Sequence, residues 1–194
     1  MSLLVVAALH EEVRYVDSDV EVVVTGVGKA LAAAGLASRL ASGPPPSLVL
    51  NVGTAGALSS PMAGVYDVDV VTQHDFPYEA ISALVGPGSA PLGFRLRPDG
   101  PPAAVDVLDG SCVLGTGDSF VSDAATALSL GGRGIHLVDM EGYGYATVCA
   151  AFGVPLRCVK AVSDRADADA AESWLDLIEG CAVALGEWVR NYRD

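Results

Sequence analysis

Carboxylates stand at three places where an apolar run gives way to polar residues. Residues 135–138 read as a strand that runs into Asp139-Met140-Glu141-Gly142, and residues 143–152, with their alanines and Cys149, read as a buried helix. A second apolar strand, residues 154–162, ends in Ser163-Asp164, and the first apolar run of the chain, residues 3–9, ends in His10-Glu11-Glu12. In open α/β sheets, strand ends and helix N-termini are where polar groups meet a ligand while their backbones stay fixed. Two consecutive strands that each end in an acid therefore suggest one shared pocket at a sheet edge, and carboxylates held in distinct environments divide acid and base duties. The plain alternative for Glu141 is a first-turn helix acid, favoured there by about 0.3–1 kcal/mol.

The elements that must position these acids alternate between strand and helix. Residues 20–25 read as a strand, followed by Gly26-Val27-Gly28-Lys29 and an Ala/Leu-rich helix to about residue 41, which Gly43-Pro44-Pro45-Pro46 ends. Gly26-x-Gly28 is not a dinucleotide fingerprint, because no acid occurs from residue 31 to 66, and no G-x-x-x-x-G-K is present; a tight turn and close helix packing account for these glycines. Residues 48–52 read as a strand that exits into a glycine-rich turn, Gly53-Thr54-Ala55-Gly56-Ala57, whose N–H groups can approach a ligand's oxygens. Residues 67–72 read as one strand and residues 73–104, rich in Pro and Gly, as irregular surface with a short strand near Phe94-Arg95-Leu96. A strand at 111–114 precedes Gly115-Thr116-Gly117-Asp118-Ser119-Phe120-Val121 and a helix at 122–130. The last helix, residues 170–192, carries an apolar stripe through Trp174, Ile178, Cys181, Leu185, Trp188 and Tyr192. The expected architecture is α/β: three layers, a central mixed, mostly parallel sheet flanked by helices, as one domain spanning 1–194.

Several segments together resemble the purine nucleoside phosphorylase and nucleosidase superfamily, and within it the 5'-methylthioadenosine/S-adenosylhomocysteine nucleosidases. V-D-M-E-G at 138–142 and V-K-A-V-S-D at 159–164 resemble its two signature segments, and T-G-V-G-K at 25–29 has its counterpart. N-V-G-T-A-G-A at 51–57 resembles N-x-G-S-A-G-G, with Thr54 for serine and Ala57 for the last glycine, and T-G-D-S-F at 116–120 resembles T-G-D-x-F. The resemblance implies hydrolysis of the N-glycosidic bond of an adenosine-type nucleoside, through an oxocarbenium-like transition state in which the leaving base takes a proton and water attacks the sugar. It gives Asp164 the part of general acid at the purine N7, oriented by Ser163, and Glu12 that of positioning and activating the water. Glu141 would hold the ribose hydroxyls beside Met140, Phe120 would stack on the purine, and Val121 would pair with its edge. Thr54, Ala55 and Gly56 would line the site, and Trp174 would close over it. A homodimer follows from the same resemblance, with Phe76 or Phe94 as contributors across the interface.

Two other readings stay open. Phosphorolysis needs cationic clamps on phosphate, and where phosphorylases of the superfamily place arginines this chain has Glu11, Glu12 and Asn51; Arg14, Lys160 or Arg165 are the remaining sources of positive charge. A non-catalytic nucleoside-binding protein is the other, and futalosine is an alternative substrate for the same bond cleavage. No cofactor and no metal are expected, since His10, His74 and His136 are scattered and Cys112, Cys149, Cys158 and Cys181 have no ligand spacing and read as reduced core residues. A formal charge of −13, from 24 acids and 11 bases, opposes binding to nucleic acid or an anionic membrane. With 51% hydrophobic residues but no run as long as the roughly 18–20 of a membrane span, a cytoplasmic protein is expected.

Overall fold

The computed structural model describes residues 2–58, 63–86, 91–97 and 99–193. Its centre is a ten-stranded sheet. The strands are β1 (Leu3–Ala7), β2 (Glu21–Val24), β3 (Leu48–Ala57), β4 (Val65–Asp67), β5 (Val70–Gln73), β6 (Gly93–Arg97), β7 (Gly100–Val105), β8 (Val113–Thr116), β9 (Leu137–Asp139) and β10 (Leu156–Asp164). Along its main path the order is β2-β1-β3-β9-β8-β5-β6-β7, while β10 pairs with β3 and β4. Five of the nine pairings are parallel. The mixed, mostly parallel sheet is therefore as expected.

Helices α1 (Lys29–Ser42), α2 (Tyr78–Val85), α3 (Ala124–Gly132), α4 (Gly142–Phe152) and α5 (Ala170–Arg193) accompany the sheet. The period-2 rule for strands divides each central strand between two cores. Leu4, Val6 and Val49 pack with Leu36 of α1 and Tyr145 and Val148 of α4, whereas Val5, Ala7, Leu50 and Val159 pack with Cys181, Leu185 and Val189 of α5. Both faces are covered, which is why the central strands read as continuous apolar runs rather than alternating ones.

Three readings of the sequence are corrected. Residues 53–57 are not a strand-exit turn: β3 continues through them, paired in parallel with β10 as far as Gly56 and antiparallel with β9 at Gly56 and Ala57. Two partner strands occupy the ladder there, so the glycines stay extended. Residues 67–72 are not one strand, because the chain crosses from β4, against β10, to β5, against β8 and β6. Residues 73–104, expected to be irregular but for a short strand near Phe94, do hold that strand as β6, and in addition α2 and β7, which pairs antiparallel with β6. Pro101 and Pro102 are tolerated in β7 because it ends the sheet's main path and because they fall where its register with β6 shifts, between the Arg95–Ala103 and Arg97–Gly100 pairs. Phe94, expected to reach across an interface, is buried against Tyr143, with ring centroids 5.3 Å apart.

Candidate active site

Glu12 sits on a single 3₁₀ turn (Glu11–Val13) directly after β1 and is 4% exposed. Its Oε2 accepts hydrogen bonds from the Ala8 and Leu9 N–H groups at 3.2 and 3.1 Å. Its Oε1 accepts from the Thr54 N–H at 2.8 Å and the Thr54 hydroxyl at 3.0 Å. β3 lies beside β1, so Thr54, 42 residues away in sequence, meets it directly.

Asp164 ends β10 on the other side of β3. Its Oδ2 accepts from the Ser163 hydroxyl at 2.8 Å and its Oδ1 from the Ala166 N–H at 2.9 Å, so both oxygens are oriented. The glycines of β3 leave room for these acids. A Cβ at Gly56 would stand 2.7 Å from Asp164 Oδ1, and one at Gly53 would stand 3.1 Å from both Glu12 Oε1 and Lys160 Nζ. The signal read as turn chemistry is a close-approach requirement.

Glu141 is the N-cap residue of α4 rather than a member of its first turn, and its Oε1 accepts from the Gly28 N–H at 2.8 Å. The helix N-terminus is satisfied instead by Asp139 and Thr116. Asp139 Oδ2 accepts from the Gly142 N–H at 2.9 Å, and Thr116 Oγ1 accepts from the Tyr143 N–H at 3.0 Å while donating to Asp139 Oδ1 at 2.6 Å. Asp139 also pairs with Lys160 Nζ at 2.8 Å inside the protein. Burial opposes the Lys160 ammonium, but Asp139 foremost, then Cys158, Glu141 and Glu12, outweigh it and raise its pKa above the ordinary value. The Glu141 carboxyl is raised to about 7 by burial and by the neighbouring Asp139, against the opposing pull of Lys160 and the Gly28 N–H.

These groups open on one cavity of about 430 Å³. Glu12, Thr54, Ala55, Gly56, Phe120, Val121, Met140, Glu141, Ser163, Asp164 and Trp174, the residues expected at the catalytic and substrate-binding site, all line it. Phe120 is 49% exposed and stands at the cavity rather than in the core. Asp139 completes the wall; sequence reasoning did not assign Ala8, Leu9, Val27, Ser119, Val138, Ala171 and Leu175 to it, because apolar and small residues carry no chemical signal of their own. It also missed the Asp139–Lys160 pair, for which the only signal was a lysine inside an apolar strand. Among the described lining residues there is no Lys, Arg or His. Arg14 pairs with Glu179 on the surface and Lys160 with Asp139 in the interior; Arg165 is exposed.

Residues 12–186 match the family model described as phosphorylase superfamily. The chain belongs to that superfamily. A 5'-methylthioadenosine/S-adenosylhomocysteine nucleosidase of an Exiguobacterium species is 31% identical over 181 residues, which are 85% of this chain and 76% of that protein. Its counterpart from Geobacillus kaustophilus is 32% identical over 181 residues, 85% of this chain and 75% of the relative. Among solved structures, futalosine hydrolase of Helicobacter pylori superposes with a TM-score of 0.79 at 20% identity, over 97% of this chain and 95% of the other. S-adenosylhomocysteine nucleosidase of Streptococcus pyogenes, in complex with 5-methylthiotubericidin, superposes with a TM-score of 0.80 at 22% identity, over 96% and 93%. In this superfamily member, the fold is the one the motifs implied.

Proposed function

We propose that the protein is a purine nucleosidase that hydrolyses the N-glycosidic bond of an adenosine-type nucleoside, of the methylthioadenosine or adenosylhomocysteine kind, to free base and sugar. The observation that carries this reading is the convergence of Glu12, Glu141 and Asp164, from three distant segments, on one cavity whose described lining holds no cation. Phosphate as nucleophile would meet three carboxylates and no clamp, whereas water needs a base and no cation.

The roles follow from the partners. Asp164, held by Ser163 and the Ala166 N–H, delivers a proton to the purine N7 as the glycosidic bond lengthens. Glu12 receives the proton of the attacking water; the Thr54 hydroxyl is the only side-chain donor among the four groups that hold it, and so the one free to turn. Glu141 grips the ribose hydroxyls beside Met140, and Phe120 covers the base. Trp174 and Leu175 wall the cavity from α5, and an uncharged 5' substituent suits such a wall better than an ionised one. Val121, Ala55 and Gly56 contribute shape.

Other features support the wider reading. Cys112, Cys149, Cys158 and Cys181 are free and buried, as in a reducing, cytoplasmic compartment. Among the described residues no helix is long and apolar enough to cross a membrane. One continuous sheet supports a single domain over 1–194. Val27, Phe120 and Leu175, exposed at the cavity, supply apolar surface for a homodimer, which light scattering after gel filtration would test. The deciding experiment is a panel of purine nucleosides monitored for free base with and without phosphate. Base release that is independent of phosphate is expected; release only when phosphate is added would make the protein a phosphorylase, and nucleoside binding without release a non-catalytic receptor.

A further inference from the structure

The Trp174 indole Nε1–H donates to Thr54 Oγ1 at 3.1 Å, and Thr54 Oγ1 donates in turn to Glu12 Oε1 at 3.0 Å. A hydroxyl has one proton and can rotate it. With its oxygen accepting from the indole, that proton is aimed at Glu12. The remaining donors to Glu12 are backbone N–H groups that cannot turn: Thr54 on Oε1, and Ala8 and Leu9 on Oε2. The Thr54 rotor is thus the single adjustable contact of the carboxylate, and the residue that sets it comes from α5, which walls the cavity through Ala171, Trp174 and Leu175.

We propose that Trp174 is a positioning residue that acts through the Thr54 hydroxyl on Glu12, so that seating of the first turns of α5 against the cavity fixes the group that activates water. The catalytic consequence rests on the nucleosidase reading of Glu12, while the relay itself does not. A phenylalanine at 174 keeps the aromatic wall and loses only the N–H, and a valine at 54 keeps the shape and the backbone donor and loses only the hydroxyl. One neutral hydrogen bond contributes about 1 kcal/mol, a factor of about five. The two substitutions break one chain of contacts, so their effects overlap rather than add.

The test joins kinetics with the Trp174 indole N–H signal in NMR. Trp174→Phe is expected to lower kcat about fivefold with KM changed less than about twofold. Thr54→Val is expected to lower kcat at least as far, Thr54→Ser to restore it, and the double variant to be no slower than Thr54→Val alone. In the unliganded protein, the indole N–H signal of Trp174 is expected to move in Thr54→Val and in Glu12→Gln. Unchanged kcat in Trp174→Phe, a raised KM with kcat intact, or strictly additive losses would overturn the proposal, because Trp174 would then be wall alone. Were the wild-type protein to release no base, the nucleosidase reading would fail and the NMR result would decide the relay: a signal unmoved by Thr54→Val removes it.

Discussion

The floor and the mouth of the cavity are built on opposite principles. The floor, where β1, β3 and β10 end, buries Glu12, Asp139, Glu141, Lys160 and Asp164 among fixed backbone donors and one internal ion pair. The mouth, where α5 begins and the loop after β8 turns, presents Phe120 and Leu175 at 49% and 67% exposure. The floor holds charge at a few distances set by paired strands, so a change there disturbs chemistry, folding or both, according to whether it removes a reacting group or unpairs a buried charge. The mouth offers area without geometry, so a change there should alter what binds and little else. Chemistry therefore belongs to the sheet, and substrate preference to the helix and loops.

The widest break in this comparison is Asp164→Asn. A positioned general acid contributes about 10²–10⁴-fold, and asparagine keeps the shape without the transferable proton. Turnover is expected to fall within that range while far-UV circular dichroism and melting stay close to wild type. Near-normal base release would remove Asp164 from its role.

Lys160→Met addresses the floor's stability. It leaves the Asp139 side chain, almost fully buried, with Thr116 and Gly142 as donors but without its cation. Removing one partner of a buried pair is destabilising by about 3–5 kcal/mol. Urea unfolding of wild type and variant measures this, and a difference below about 1 kcal/mol would show that the pair is not what holds the floor.

Glu141 gives the comparison a pH axis. Its folded value of about 7 lies above the ordinary 4.5, so the folded chain binds the extra proton between those limits. The resulting contribution to stability is fully present below about pH 4.5 and is lost as pH rises through 7. The shift corresponds to a loss on the order of 3 kcal/mol. Glu141→Gln is therefore expected to be the more stable protein at pH 8, with the gap closing toward pH 5, although it should bind nucleoside poorly. Melting curves across that range check the sign, and a gap independent of pH would place the burial penalty elsewhere.

The smallest effect belongs to the mouth. Leu175→Ala is expected to change stability by no more than about 0.5 kcal/mol and to raise KM a few-fold with kcat intact. A large fall in melting temperature would mean that Leu175 packs as part of the floor's support.

The sequence by itself determined which chemical groups were available and where along the chain they could stand. Apolar runs of strand length ending in Asp or Glu placed Glu12, Glu141 and Asp164 at strand exits, and the stripe of α5 was legible from its period. These signals are local, carried by neighbouring residues. What only the tertiary structure decided was adjacency: β3 lies between β1 and β10, which makes Thr54 a neighbour of Glu12, lets Gly56 face Asp164 and converts a presumed turn into a strand. The short strand near Phe94 was legible, but its pairing with β5 and with β7 was not: these short strands, rich in or flanked by prolines, are fixed by that pairing and by packing against α4. The Asp139–Lys160 pair and the indole of Trp174 on Thr54 were invisible for the same reason, since a contact between residues dozens of positions apart exists only once the sheet has set its strand order.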